Sequence, residues 1–445
     1  MPFPAGFTWG VATSAYQIEG GRIDGKGQSI WDTFSDQGRL TDPGDAACDH
    51  YHRWPEDVAL MARLGIKAYR FSVAWTRILP RGTGEVNQAG LDFYRRLVDA
   101  LLTEGIEPWL TLYHWDLPQA LQDEGGWPHR RTVDAFVGYT EVVAGALGDR
   151  VKHWITHNEP WVAAMLGHVE GVFAPGLTDW EKGLAAGHHL LLSHGRAVPV
   201  IRALSPGSEV GIALDCRPST PASDDPADGA ANRHFDGFRN RWFFDPVFGK
   251  GYPKDMIEAY ARAGRTDMAF VDPSDLETIA SPLDFVGVNY YTSIPVGAGG
   301  EESEAPEVHP GPNPPDGFTE MGWKITPAAL TDFLRRVNDQ YQPARIVVTE
   351  NGASFSDGPG PDGGIHDRRR IEYLQSHINA VRMAVEAGTP VAGYFVWSLL
   401  DNLEWTAGFA QRFGLVHVNH TTQVRTPKDS FEWYRQVIAR NGLSP

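Results

Sequence analysis

Two glutamates occupy positions from which a pair of carboxyl groups could do acid–base and nucleophilic work. They are Glu159 in Asn158-Glu159-Pro160 and Glu350 in Thr349-Glu350-Asn351-Gly352. Each closes a short apolar run, and other such runs end on groups that bind rather than react. Gln17 and Glu19 follow the first run, Arg70 lies in the second, and His114-Trp115-Asp116 follow the third. Asn289, Tyr290 and Tyr291 close the sixth, and Trp397 ends the last, with Asp401, Asn402, Glu404 and Trp405 beyond it. Carboxylates, amides, one arginine, a histidine and indoles describe a site for a neutral polyol. Cysteine nucleophiles, phosphate-cradling glycine loops and dense metal-ligand spacings are missing from this set, so no metal or cofactor is expected. A carboxyl pair suits cleavage of a glycosidic bond, in which one group protonates the leaving oxygen and the other faces the oxocarbenium-like centre as an anion.

These positions need a scaffold that brings several strand ends to one mouth. Short β-rich runs at residues 7–12, 68–73, 108–113, 153–157, 209–214, 284–289, 345–349 and 391–397 alternate with helical stretches. The helices are expected at 91–104, 132–147, 180–204, 327–340, 367–387 and 430–440. Alternation of this kind predicts βα units and a parallel sheet, and eight repeats close into a (β/α)8 barrel, an α/β fold. The fifth strand and its helix carry the weakest pattern. No linker interrupts the series, so residues 1–445 read as a single barrel domain. Gly- and Pro-rich stretches at 297–317 and 356–364 read as long loops on the face that holds the strand C-termini. Chemistry in such barrels sits on that face.

The composition narrows the partners. Of 445 residues, 42% are hydrophobic and 21% charged, as in ordinary globular chains. The net charge of −17 repels phosphate backbones and anionic lipid surfaces, so neither nucleic acid nor membrane is expected as a partner. Two cysteines, Cys48 and Cys216, exclude a disulfide framework. With no basic segment and apolar run at residues 1–10, they point to a cytoplasmic protein. The sequon Asn419-His420-Thr421 then reads as a chance match. Fifteen tryptophans, 14 tyrosines and 21 phenylalanines are mostly core, and the surplus suits a pyranose, whose C–H face packs on flat rings.

The sequence resembles glycoside hydrolase family one along essentially its whole length. The resemblance is carried by Phe7-Thr-Trp-Gly-Val-Ala-Thr-Ser-Ala-Tyr-Gln-Ile-Glu-Gly20, Tyr69-Arg-Phe-Ser72, His114-Trp-Asp-Leu-Pro118 and Thr156-His-Asn-Glu-Pro160, and continues in Gly287-Val-Asn-Tyr-Tyr-Thr292, Val348-Thr-Glu-Asn-Gly352 and Trp397-Ser-Leu-Leu-Asp-Asn-Leu-Glu-Trp405. It implies a retaining β-glucosidase with Glu350 as nucleophile and Glu159 as acid/base, their carboxyl groups about 5 Å apart. If Arg70 and the Tyr291 hydroxyl approach Glu350, both favour its anion, and that anion keeps a proton on Glu159. The match also implies that Gln17, His114, Asn158 and Glu404 hydrogen-bond the nonreducing sugar, with Asn289 and Tyr291 close by. Trp397 is its floor, Trp405 lies beside its hydroxyls, and Trp323 stacks on the leaving group. An anionic Glu404 would repel a 6-phosphate. Leu403 and Asn419 depart from the family's frequent aromatic and aspartate without touching this chemistry.

Lone glutamates are more often surface or capping residues, Arg70 could belong to a structural ion pair, and Gln17, Asn158 and Asn289 could satisfy buried backbone. Cys48, Asp49, His50 and His52 have a metal-like spacing, but they precede a helix expected from about Glu56 and read as structural. His188 and His189, adjacent on a helix, point apart. The acidic run 301–307 reads as a solvated loop. A binding barrel without chemistry would lack one carboxylate, and a metal-dependent hydrolase would show a ligand cluster. A transglycosidase shares the same covalent intermediate, so the motifs leave it open. Oligomeric state, and glucose against galactose or fucose, are not legible.

Overall fold

A computed structural model describes residues 2–298 and 316–444. Eight parallel strands close into a barrel: β1 (Thr8–Ala12), β2 (Ala68–Ser72), β3 (Glu107–Tyr113), β4 (His153–Asn158), β5 (Glu209–Cys216), β6 (Phe285–Tyr290), β7 (Ile346–Asn351) and β8 (Val391–Trp397). Each pairs with its neighbour in sequence, and β8 pairs with β1 in a register that sets Ala12 beside Trp397. The strands are almost wholly buried because both faces are covered, which is why they read as continuous apolar runs.

One inward side chain from each strand fills the lumen: Ala12, Ala68, Trp109, Ile155, Ala213, Phe285, Val347 and Phe395. Large and small residues interlock there. A Cβ on Gly10 would stand 2.4 Å from the Phe395 ring, and one on Gly211 would stand 2.5 Å from the Phe285 ring, so glycine at each position admits a phenylalanine. Outside, the second and larger core lies between the strands and helices that include Gln88–Thr103, Arg131–Leu147, Trp180–Leu204, Pro327–Tyr341, Arg368–Glu386 and Asp429–Arg440.

The fold agrees with the expected barrel and departs from the expected detail in two places. The connection after β5 is not one helix but a series, Pro226–Asp236, the wide-turned Gly237–Arg241, Trp242–Val247, Lys254–Arg262 and Asp275–Ile279, which explains its weak periodicity. The helix expected from about Glu56 begins at His50, because Asp49, at φ 51°, turns the chain a turn and a half earlier. His50 then meets Asp57 at 2.7 Å and His52 meets Asp49 at 2.6 Å, so the two imidazoles have separate partners. His188 likewise lies between Tyr252 and Asp275, whereas His189 meets the Trp127 carbonyl. Residues 356–364 form an irregular loop after β7. The acidic run 301–307 lies outside the described residues.

Candidate active site

The C-terminal ends of the strands surround a cavity of about 450 Å³. Glu159, Glu350, His114, Tyr291, Trp323, Trp397, Glu404 and Trp405 all line it, and Gln17, Arg70, Asn158 and Asn289 stand directly behind that lining. The strands deliver these groups, and unusual turns aim three of them. Trp115 (φ 80°), Glu159 (φ 47°) and Trp405 (φ 46°) have left-handed backbones that non-glycine residues adopt only when their surroundings compel it. At Glu159 the compulsion is visible: its N–H donates to the Ala213 carbonyl on β5 (2.8 Å), and the Trp115 indole donates to the carbonyl of Asn158 (2.8 Å).

Glu350 ends β7 in a basic, hydrogen-bonded seat. Arg70, reaching from β2 with 1% of its surface exposed, donates to Glu350 Oε1 at 2.5 Å and to the Thr349 carbonyl at 3.1 Å. The Tyr291 hydroxyl donates to Oε2 at 2.5 Å. The other end of the Arg70 guanidinium donates to Asn158 Oδ1 at 2.5 Å, and Asn289 Nδ2 donates to the same oxygen at 2.9 Å and to Glu159 Oε1 at 2.8 Å. Thr349 Oγ1 fixes Asn289 by donating to its Oδ1 at 2.7 Å. The two glutamates are therefore joined through a shared set of amides.

Burial raises the proton affinity of both carboxyl groups, a contribution the sequence-based expectation for Glu350 left out. The difference between them survives. Arg70 and the Tyr291 hydroxyl pull Glu350 back toward its anion, whereas after burial Asp215 and then Glu350 push Glu159 well above the usual carboxyl range. When the pair holds a single proton, that proton resides on Glu159.

The remaining polar groups divide into those the protein uses and those that face the cavity. Asn158 Oδ1 accepts from two donors, so its Nδ2 donates to His114 Nε2 (3.1 Å). Burial, then Arg70, lowers His114 well below the usual imidazole range, leaving a neutral ring whose hydrogen sits on Nδ1. That atom is buried and makes no hydrogen bond among the described residues, and neither does Glu404 Oε2. Gln17 accepts from Ser14 (2.6 Å) and donates to Asn402 Oδ1 (3.1 Å) and the Leu403 carbonyl (2.8 Å), so it pins the loop that carries Glu404. Burial and the charge of Glu350 push Glu404 up to about 8. This direction favours the neutral acid over the anion expected at this position.

Aromatic rings form the walls. Trp397 and His114 stack at 5.8 Å, Trp405 packs on Trp115 at 4.5 Å, and Trp323 lies 5.2 Å from Tyr291. Toward the opening, Val162, Leu166, Val172, Phe173, Met321 and Phe413 make an apolar margin.

Asp215, Cys216 and Arg239 also line the cavity, and none is a site residue in the sequence reading, where Cys216 counts only as one of two cysteines. The strand-end rule finds Asp215 once β5 is extended to its observed end at Cys216. Arg239 sits in the irregular connection after β5 and carries no local signal.

The residues that converge here are those of the seven motifs, and similarity to known proteins runs through the same positions. The model for "Glycosyl hydrolase family 1" matches residues 1–443. "Beta-glucosidase A" of Thermotoga maritima is 45% identical over 454 residues, covering 99% of this chain and 98% of that protein. A "Bifunctional beta-D-glucosidase/beta-D-fucosidase" of Bifidobacterium breve is 43% identical, covering 99% and 98%. Among solved structures, the Thermotoga maritima β-glucosidase in complex with castanospermine superposes with a TM-score of 0.93 at 46% identity, covering both chains completely. With barrel, strand-end residues and full-length similarity in agreement, the chain belongs to glycosyl hydrolase family 1.

Proposed function

We propose that this chain is a retaining β-glucosidase that removes terminal nonreducing β-D-glucosyl residues from cellobiose, short β-glucooligosaccharides and aryl or alkyl β-glucosides. The observation that carries the mechanism is the asymmetry of the two carboxyl groups. Arg70 and Tyr291, at 2.5 Å each, favour the Glu350 anion against the burial that raises its proton affinity, whereas burial, Asp215 and Glu350 all favour the proton on Glu159 in the same cavity. In the first step Glu350 forms a bond to the anomeric carbon as the glycosidic bond breaks, and the Glu159 proton goes to the leaving oxygen. In the second, Glu159 takes a proton from water as that water's oxygen displaces Glu350, which restores both carboxyl groups. An alcohol or sugar in place of water gives transglycosylation by the same route.

Glycone recognition falls to His114 Nδ1, Glu404, the second amide hydrogen of Asn158 and the remaining lone pair of Gln17, with Trp397 under the ring and Trp405 beside it. Asn289 mainly orients its neighbours. Trp323 and the apolar margin receive the aglycone by stacking, which tolerates varied leaving groups. Side activity on β-galactosides and β-fucosides fits a grip that does not depend on one hydroxyl, and one relative is named for both glucosidase and fucosidase activity. Residues 1–445 act as one catalytic domain. The two free, buried thiols suit a reducing cytoplasm, and among the described residues no helix is long and apolar enough to cross a membrane.

The test is Glu350→Gly with aryl β-glucosides. Turnover is expected to fall by more than about 10⁴-fold, and added azide restores it with an α-glycosyl azide as product. A variant that retains normal turnover, or a β-configured azide, refutes the assignment.

A further inference from the structure

Beside Glu159 stands a third carboxyl group that the proposed cleavage leaves unused. Asp215 is the penultimate residue of β5, in register with Asn289 of β6, whose amide holds Glu159. It lies two residues beyond Ala213, the carbonyl that anchors the Glu159 backbone, so the pleat sends both side chains to the barrel's inner face. Its partner is Arg239 from Gly237–Arg241, whose guanidinium reaches Asp215 Oδ2 at 2.5 Å. The same guanidinium lies 3.4 Å from the centre of the Trp161 ring, two residues past Glu159. Asp215, Arg239 and Trp161 thus clamp the segment that carries Glu159.

We propose, resting on the reading of Glu159 as acid/base, that Asp215 clamped by Arg239 is a positioning residue whose fixed anion biases Glu159 toward carrying the proton the leaving oxygen takes. The charges around Glu159 leave room for such a bias. Glu350 on β7 faces it as an anion, and Tyr291 after β6 and Cys216 on β5 are neutral groups held so by burial. Arg70 on β2 is committed to Glu350 and Asn158. His114 and Glu404, which share the cavity, are neutral near pH 7. Asp215 is the larger of the two anionic influences on Glu159, and Arg239 is the opposing cation. It also persists when Glu350 becomes esterified, so it acts on both half-reactions.

The experiment is the pH dependence of kcat/KM for an aryl β-glucoside in Asp215→Asn and in the double variant Asp215→Asn/Arg239→Met. The second replaces a buried ion pair by groups of similar volume, an exchange that commonly preserves folding. The basic limb, which reports the protonated Glu159, is expected to move down by about one pH unit in the single variant. It moves down by less in the double variant, where the opposing cation is gone too. Arg239→Lys, which keeps the charge, leaves the limb in place. A merely structural role would lower the plateau without moving the limb, and a limb that stays put in both Asn variants overturns the proposal. Glu159→Ala separates this from the parent reading. If that variant loses aryl glucoside turnover and azide returns it as a β-glycosyl azide, Glu159 is the acid/base whatever Asp215 does. If it keeps full turnover and its basic limb, the parent reading fails as well.

Discussion

Tyr291→Phe isolates one hydrogen bond to the proposed nucleophile. The hydroxyl donates to Glu350 Oε2 at 2.5 Å, and the ring stays in place through Trp323 at 5.2 Å and Phe413 at 6.2 Å, so the substitution removes an oxygen and little else. A hydrogen bond to a charged group contributes about 1.5–3 kcal/mol. This one acts on the anion alone, and at about 1.4 kcal/mol per pH unit its loss raises the proton affinity of Glu350 by about 1–2 units. The sign follows from the role. Glu350 attacks as an anion, so the acid limb of kcat/KM moves up by that amount while the basic limb stays. Turnover is lost about 10- to 100-fold on the acid side and converges with wild type as pH rises. The assay is aryl β-glucoside hydrolysis across both limbs, with thermal unfolding as a check on folding. An acid limb that does not move while the plateau drops refutes the claim that Tyr291 stabilises the Glu350 anion.

Lys428 is fully buried and donates to Asp357 at 2.6 Å and Asp401 at 2.8 Å, in a network that also includes Arg370 and His417. Lys428→Met leaves two buried carboxylates short of a cation, so urea unfolding at pH 7 should show a loss of about 3–5 kcal/mol. Asp401 is depressed from 3.8 to about 2 in the fold, so its share of that stability is present above pH 3.8 and disappears as pH falls through about 2. The gap between wild type and variant narrows over that window, and a constant gap removes Asp401 from the account. Glu404→Gln tests the neutral acid. With its affinity raised from 4.5 to about 8, the folded enzyme binds a proton that the unfolded chain has released, so wild-type stability falls across that window as pH rises. The glutamine variant escapes this loss and unfolds later than wild type near pH 8, while glucoside KM rises. An unchanged KM excludes Glu404 from glycone binding.

The barrel was legible because buried parallel strands repeat one pattern, and the candidate site was legible because the polar residues that line one cavity stand at the C-terminal ends of those strands. What escaped had physical reasons. The expected β5 stopped at Leu214, short of the two residues that bring Asp215 to the mouth, and the broken helices after it hid Arg239. The left-handed turns at Trp115, Glu159 and Trp405 occur at residues that do not favour them, imposed by contacts from β5 and the neighbouring loops. The neutrality of Glu404 follows from desolvation and Glu350, which exist only once the cavity has formed.

Under the proposed double displacement, Glu159 must serve first as an acid and then as a base. Glu350 pairs with Arg70 and Asp215 with Arg239, whereas burial raises the proton affinity of Glu159 and Glu404. In that mechanism, bond formation at Glu350 would remove one of the negative charges that favour the proton on Glu159, so its proton affinity would fall when the step ahead requires a base. Asp215 is unchanged by that step. It sets the level about which Glu159 moves, and Glu350 supplies the movement. Asp215→Asn should therefore lower that level in both half-reactions. With a dinitrophenyl β-glucoside, whose leaving group needs little protonation, the variant should stay active to lower pH than wild type wherever hydrolysis of the glycosyl-enzyme limits kcat, while with poorer leaving groups its activity fades at high pH. A kcat profile in which neither limb shifts in this way would mean that Glu159 is governed by Glu350 alone.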